Sequence, residues 1–256
     1  MGYGDDLMAT GMARGARARG KRIAFGDGKK IIFGPWSEPM FRHNPNIARP
    51  GDEGADDLEW IAHYKGHRLY NRAANRRWIW NYGFRAIPGE VFFSEAEQAM
   101  AASIEPGFVL IEPNVPRQKS VAANKDWGFR RYKAVAAILK RSGIRVRQFA
   151  FGDRRLPVET IRTQSFRDAL AVLSRAALYI GPEGGLHHGA AAVGIPAVVM
   201  FGGFIPPTVT GYDTHINLTG GASACGSLLR CEHCAEAMRS ISVEKVVDSA
   251  KKLLNG

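Results

Sequence analysis

Apolar residues in the second half of the chain fall in short unbroken runs separated by amphipathic stretches. Phe108 to Ile111, Ala176 to Ile180 and Ala197 to Phe201 each have the length of a strand covered on both faces. Arg145 to Phe151 alternates polar and apolar residues and also reads as a strand. Between these runs, Phe129 to Ser142 sets Tyr132, Val135, Ala136 and Leu139 on one helical face and is closed by Gly143. Phe166 to Ala176 is again helical, with Leu170, Leu173 and Ala177 on one face. Strand and helix in alternation predict an α/β fold with a parallel sheet and right-handed crossovers. Ligands of such sheets gather beyond the carboxyl ends of the strands, so the loops after Ile111, Phe151 and Ile180 should share one rim. A terminal amphipathic helix, Val243 to Leu254, is expected to pack back across the body.

The first half carries less pattern. Arg22 to Phe25 and Lys30 to Phe33 read as short strands around the turn at Gly26 to Gly28. Trp60, Tyr64, Tyr70, Trp78, Trp80 and Tyr82 make the middle rich in aromatics. These residues suit either a cofactor platform or a core packed beneath long loops. An Ala- and Glu-rich helix gives way to Glu105, Pro106 and Gly107, which predicts a boundary between residues 1–105 and 106–256.

The stretch from Gly181 to Gly203 is the strongest local signal. A strand leads into a glycine-rich turn, a helix crowded with alanine follows, and Gly194-Ile195-Pro196 ends it before the next strand. Such a unit presents backbone N–H groups to an anion, with Gly184, Gly185 and Leu186 as the candidate donors. Neither GxGxxG nor the Walker pattern is present, so the segment is not a standard dinucleotide site or P-loop.

At 256 residues and 45% hydrophobic, the chain can bury one large core or two modest ones. No run of 18 apolar residues exists and the N-terminal stretch lacks the apolar region of a secretory signal, so cytoplasmic residence is expected. The net charge of +11 is concentrated between Pro113 and Gly152, where Asp126 is the only acid among ten Lys and Arg residues. That concentration suits phosphates or acidic lipid head groups, and equally a solvated basic helix face. Nucleic acid fits poorly, because the aromatics are not interleaved with the basic residues as a stacking platform requires.

Candidate chemistry follows. Asp5 and Asp6 stand after a glycine turn at the start of a helix, where a carboxylate serves either as cap or in catalysis. No strand precedes that turn, so either the first strand is absent or the recorded start lies downstream of the natural one. Lys125, in a loop on the predicted rim, could carry the charge of a diphosphate leaving group. His188 could donate to a phosphate. Glu183 would repel one and is expected to accept hydrogen bonds from a sugar, a ribose or the turn itself. Asp153, after the strand ending at Phe151, is a second candidate for nucleotide or sugar binding. Cys225, Cys231 and Cys234, with His233 between the last two, offer the donor set of a tetrahedral zinc site, or are reduced structural cysteines.

Together these residues resemble glycosyltransferase family 9, the heptosyltransferase family of lipopolysaccharide core synthesis. The family's N-terminal glycine turn ends in Gly-Asp before a helix, which Gly4-Asp5 matches. Its C-terminal motif is similar to Glu183 through His188 followed by alanines, Gly194-Ile195-Pro196 and Phe201-Gly202, although Glu183-Gly184 stands where the family has Asp-Thr. A phosphate-contacting lysine just before a tryptophan is matched by Lys125-Asp126-Trp127. The resemblance implies a GT-B fold, two Rossmann-like domains facing a cleft, here with the N-terminal one abbreviated. It implies metal-independent inverting transfer from a nucleotide-diphosphate sugar to a glycan or glycolipid hydroxyl, with Asp5 as general base and no cofactor required. A GT-B-like binding protein without transfer activity is the alternative, and a sugar-nucleotide epimerase would share the architecture.

Overall fold

A computed structural model of the chain describes residues 2–115 and 121–255. The C-terminal unit is built on β5 (Phe108–Ile111), β6 (Val146–Phe149), β7 (Glu159–Ile161), β8 (Ala176–Pro182), β9 (Ala197–Met200) and β10 (His215–Leu218). All six pair in parallel, in the order β10-β9-β8-β5-β6-β7. The chain runs outward from β5 through β6 to β7, then returns to β8 on the other side of β5. The order therefore reverses between β5 and β8, the point where a doubly wound sheet opens a crevice at its carboxyl edge. Two of the six strands, β7 and β10, are too short and polar to announce themselves by pattern.

Alternate residues of each strand enter different cores. Val109, Ile111, Leu178, Ile180, Val198 and Met200 pack with α5 (Phe129–Arg141) and α10 (Val243–Asn255). Phe108, Leu110, Tyr179, Ala197 and Val199 face the opposite way. They meet α6 (Phe166–Leu173), α7 (Gly185–Ala192) and, in the same cluster, Leu7, Ala13, Ile23 and Phe25 of the N-terminal half. The terminal helix packs back on the sheet, against β8, β9 and α5. Val246, Val247 and Ala250 match the apolar face of α5, on the side of the sheet away from the N-terminal half.

The N-terminal half contains α1 (Tyr3–Ala18), β1 (Arg22–Phe25), α2 (Ser37–Phe41), β2 (Leu58–Ile61), the hairpin β3 (Asn71–Ala74) and β4 (Arg77–Trp80), and α3 (Glu95–Ala102). Only β1 and β2 form a parallel pair. Lys30 to Phe33 is not a strand. The Asp27 side chain accepts from Lys29 N–H and Lys30 N–H, and the tight turn leaves a single bridge between Gly26 and Ile31. The hairpin turns on Asn75 and Arg76, both at positive φ (48° and 57°), as a two-residue type I′ connection requires.

Arg167, buried on α6, fastens the halves together. Its guanidinium pairs with Glu97 of α3 (2.5 and 2.8 Å) and donates to the carbonyls of Pro39 and Phe92 (2.7 and 2.6 Å). The Arg167 hydrogen bonds hold the Glu97 carboxyl down at about 2 against the pull of partial burial. Arg167→Met should cost about 3–5 kcal/mol, because it leaves the Glu97 carboxylate unpaired and the Pro39 and Phe92 carbonyls without their donor. A depressed carboxyl stabilises the fold above its unfolded value and loses that contribution as pH falls toward 2. Acid unfolding of wild type should therefore steepen between pH 4.5 and 2, and the variant should lack that component in a denaturant titration repeated across pH.

Candidate active site

A cavity of about 500 Å³ opens at the reversal point of the sheet. Its floor is the carboxyl end of β8 and the loop after β5, represented by Tyr179, Pro182 and Asn114. One wall is the N-terminus of α1, with Gly2 and Asp5, and another is the N-terminus of α7, with Gly184, Gly185 and Leu186. Both helices direct their unsatisfied N–H groups and positive dipole ends toward this space. The approach is close: a Cβ on Gly4 would lie 2.8 Å from the His188 ring and 3.4 Å from Gly185 Cα. Glycine at position 4 is what lets the two helix ends meet. Gly181 serves a similar purpose, since a side chain there would collide with the Tyr179 hydroxyl at 2.0 Å.

The two N-terminal acids separate completely. Asp5 faces the cavity, accepting from Gly2 N–H (2.7 Å) as a helix cap and from the Tyr70 hydroxyl, with Arg68 at 3.5 Å. Capping and a place in the cavity thus coincide on one side chain. Burial would raise its carboxyl, but Arg68, Tyr70 and the Gly2 N–H outweigh burial and keep it below the ordinary value, hence ionised. Asp6 points inward, paired with His63 (2.9 Å) and Ser37 (3.3 Å), and burial raises it.

Lys125 ends α4 (Ala122–Lys125) and reaches the cavity because its neighbours are committed elsewhere. Asp126 binds Arg154 through both oxygens (3.0 and 2.7 Å), and the buried Trp127 indole donates to the Ile241 carbonyl (2.9 Å). The Lys125 ammonium pairs with Glu183 and lies 5.6 Å from the centre of the Phe204 ring. Burial opposes the Glu183 charge, yet Lys125 and His188 hold that carboxyl well below the usual range. His188 has both ring nitrogens engaged, with Tyr212 (2.9 Å) and Glu183 (3.3 Å), so its imidazole faces the carboxylate. Glu183 therefore takes its partners from within the protein rather than from the turn. His187 is buried among His188, Phe201, Tyr212 and His215. Burial first, and its histidine neighbours second, keep it neutral.

Asp153 is exposed and does not line the cavity, although Phe151 of the same loop does. The Sγ atoms of Cys225, Cys231 and Cys234 lie 3.2–3.7 Å from one another, all as free thiols. His233 does not join them. Its Nε2 turns to the Ser223 carbonyl (2.7 Å), since a ligand one residue before Cys234 on α9 (Glu232–Ser240) projects from another side of the helix. Among the described residues no fourth His, Cys, Asp or Glu completes the set. Of the basic run, Arg117 and Lys119 lie outside the described residues. Arg131, Lys140, Arg145 and Arg147 hold partners within the protein.

Sequence pattern left the opposite wall undecided and Arg68 unmarked; that wall is formed by Arg68, Tyr70, Trp78 and Trp80, with Arg68 stacked 4.7 Å over Trp78. Of the six aromatics only Tyr70, Trp78 and Trp80 line the cavity, Trp80 also inserted in the core, whereas Trp60 packs against Ala24 and Ile31 and Tyr82 is exposed. The sequence cue was the alternation of Trp78 and Trp80 beside Asn75, which marks one face of a hairpin strand.

Six parallel strands in doubly wound order, an abbreviated second unit and a cavity between them define a GT-B architecture. The sequence signature of glycosyltransferase family 9 (heptosyltransferase) matches residues 90–238. The chain belongs to that family and is a glycosyltransferase. Among solved structures it resembles a family 9 glycosyltransferase from Veillonella parvula, at 14% identity and a TM-score of 0.64, covering 100% of this chain and 95% of that one. It also resembles TibC, a bacterial iron-containing dodecameric glycosyltransferase from enterotoxigenic E. coli, at 17% identity and a TM-score of 0.58, covering 100% and 74%. At these identities the likeness is one of fold. No curated protein matches the chain.

Glu112, at the end of β5, is buried, and burial raises its carboxyl to about 7 despite bonds from Asn114. One of its oxygens has no partner. A raised carboxyl favours the folded state only while protonated, so stability should fall as pH rises from about 4.5 through 7. Glu112→Gln should match wild type at pH 4 and exceed it at pH 8 by on the order of 2–3 kcal/mol, read from denaturant midpoints at the two pH values.

Proposed function

We propose that the cavity carries out inverting, metal-independent transfer of a sugar, heptose being the first candidate, from a nucleotide-diphosphate donor to a hydroxyl of a glycan or glycolipid acceptor. The observation that carries this reading is the convergence of Asp5, Lys125 and the α7 N-terminus on one cavity. Residues 1–105 form the acceptor side and 106–256 the nucleotide-sugar side. Asp5, kept ionised by Arg68, takes the proton from the acceptor hydroxyl as it attacks the anomeric carbon. The bond from that carbon to the donor phosphate breaks on the opposite face. Lys125 and the N–H groups of Gly184, Gly185 and Leu186 receive the charge left on the nucleoside diphosphate. Glu183, held by His188, yields Lys125 to the phosphate and is then placed to accept from a sugar or ribose hydroxyl. Asp153, on the loop beside the cavity, is a rim contact for the nucleotide. The aromatic wall of Tyr70, Trp78 and Trp80 suits the apolar face of an acceptor sugar.

No helix among the described residues is long and apolar enough to cross a membrane. A glycolipid acceptor would be met at an acidic membrane surface, to which the exposed basic residues of α5 are suited. The three free thiols fit a reducing cytoplasm. They also fit a thiophilic ion. Three sulfurs at tetrahedral bond lengths of ~2.3 Å stand roughly 3.8 Å apart, and those of Cys225, Cys231 and Cys234 are within 0.6 Å of that. TibC is iron-containing, and this chain would hold zinc or iron at Cys225, Cys231 and Cys234 in a structural role, outside the transfer chemistry.

Asp5→Asn should lower kcat by about 10²–10⁴ and leave nucleotide affinity near wild type. Lys125→Ala should instead weaken donor binding. Single-turnover transfer assays combined with nucleotide calorimetry separate the two, and an Asp5→Asn enzyme of full activity would remove Asp5 as base. Added Mg²⁺ or Mn²⁺ should leave kcat unchanged.

A further inference from the structure

The loop from Cys225 to Cys231 touches both walls of the cavity without lining it. On one side Gly226 accepts from Trp78 N–H (2.8 Å) and Leu228 N–H donates to the Arg76 carbonyl (3.0 Å), which extends the β3–β4 hairpin. On another, Cys225 N–H and Gly226 N–H donate to the carbonyls of Gly203 and Phe204 (2.9 and 3.1 Å). On the third, the loop closes around Asn124. That carboxamide is 1% exposed. It donates to the carbonyls of Ser227 (3.0 Å) and Leu229 (2.8 Å), and accepts from Cys231 N–H (3.1 Å).

Asn124 immediately precedes Lys125, on a helix of four residues. A helix that short has almost no stability of its own, so its place is set by what grips it. Its neighbour in the fold is α9, which begins at the Cys231–Cys234 knuckle. The loop it grips has no regular structure, and Gly226 sits at φ 65° with its missing Cβ 2.2 Å from the Trp78 carbonyl. Closing such a loop at its base through three thiolates is the most direct way to fix it.

We infer that the three-cysteine knuckle, closed by a zinc or iron ion, is the device that sets Lys125 in the cavity, and that Asn124 is the positioning residue through which it acts. The inference rests on the reading of Lys125 as the donor-phosphate lysine. Removing either the ion or the Asn124 grip lets α4 shift, and the ammonium is lost to the phosphate without any change in its charge.

The test uses the full chain and three probes, ADP, UDP and GDP, in calorimetry beside metal analysis. Asn124→Asp is isosteric but turns an oxygen toward two carbonyls. It should weaken the best-bound diphosphate about tenfold, the scale of losing an outer partner of a metal ligand. Cys231→Ser should lose the ion and weaken the diphosphate by a similar factor, and chelator-stripped wild type should behave alike and recover with zinc or iron. The decisive measurement is made in a Lys125→Ala background, where Asn124→Asp and ion removal should cost nothing further. A merely structural Asn124 would give additive losses there, which would overturn the inference. So would a metal-stripped protein, or an Asn124→Asp protein, that binds the diphosphate as tightly as loaded wild type. If wild type binds none of the three probes, the donor-phosphate reading itself falls, and the inference with it. If Cys231→Ser does not fold, the stripped wild type and Asn124→Asp decide the matter.

Discussion

The meeting of two helix N-termini, α1 and α7, is the constraint on which the site depends. One belongs to the abbreviated N-terminal unit and the other to the doubly wound sheet, and they touch through Gly4 and Gly185 with no room for a side chain at position 4. Because the contact is backbone against backbone, it tolerates little sliding. It places Asp5 and the α7 N–H groups in one cavity although they are 180 residues apart in sequence. Arg167, next to Phe166 at the start of α6, secures the same interface through its partners on α2, α3 and the segment before α3. The shared core, in which Leu7 and Phe25 pack with Phe108 and Leu170, makes the interface continuous with the sheet. The two units therefore meet through a common interior and not only across a cleft.

Electrostatically the cavity is already balanced. Lys125 is matched by Glu183, and Arg68 by Asp5. Each pair lies in a partly dry space beside a helix N-terminus, where an anion is favoured over a cation. Lys125 and Arg68 keep Glu183 and Asp5 ionised, and the N-terminus of α7 adds its own preference for an anion. The longer acid at position 183, where the family pattern has aspartate, spans Lys125 and His188 at once. That geometry gives Lys125 a defined rotamer before any phosphate arrives, which lowers the ordering cost of binding.

Legibility in the sequence followed the physics of each element. The central strands could be read because burial on both faces forces unbroken apolar runs, as at Phe108 to Ile111. The end of α7 could be read because Gly194 takes φ 76° and Ile195 N–H returns to the Ala190 carbonyl (2.8 Å), a termination that needs glycine. Asp5, Lys125 and Glu183 stood out because they sit at fixed offsets from glycines or a tryptophan. Arg68, Tyr70 and Trp78 did not, because a hairpin laid over a cavity has no periodicity that distinguishes a binding wall from a covered core. His233 was misassigned to the thiols for a related reason. Spacing along a helix says which residues are near, whereas the direction of a ring is set by what competes for its nitrogen, here the Ser223 carbonyl.

The cysteine loop shows how an irregular segment can be more constrained than a regular one. Between Cys225 and Cys231 no helix and only a bridge to Arg77 satisfies the backbone, so its remaining groups bond to Ser227 and Cys225 within the loop or to other elements. Those outside partners are the hairpin, the Gly203–Phe204 turn and Asn124, and all three border the cavity. A segment most of whose backbone partners lie in other elements transmits any displacement to the elements it touches. Fixing its two ends at one point thus fixes α4 through Asn124, which a helix of four residues could not do unaided.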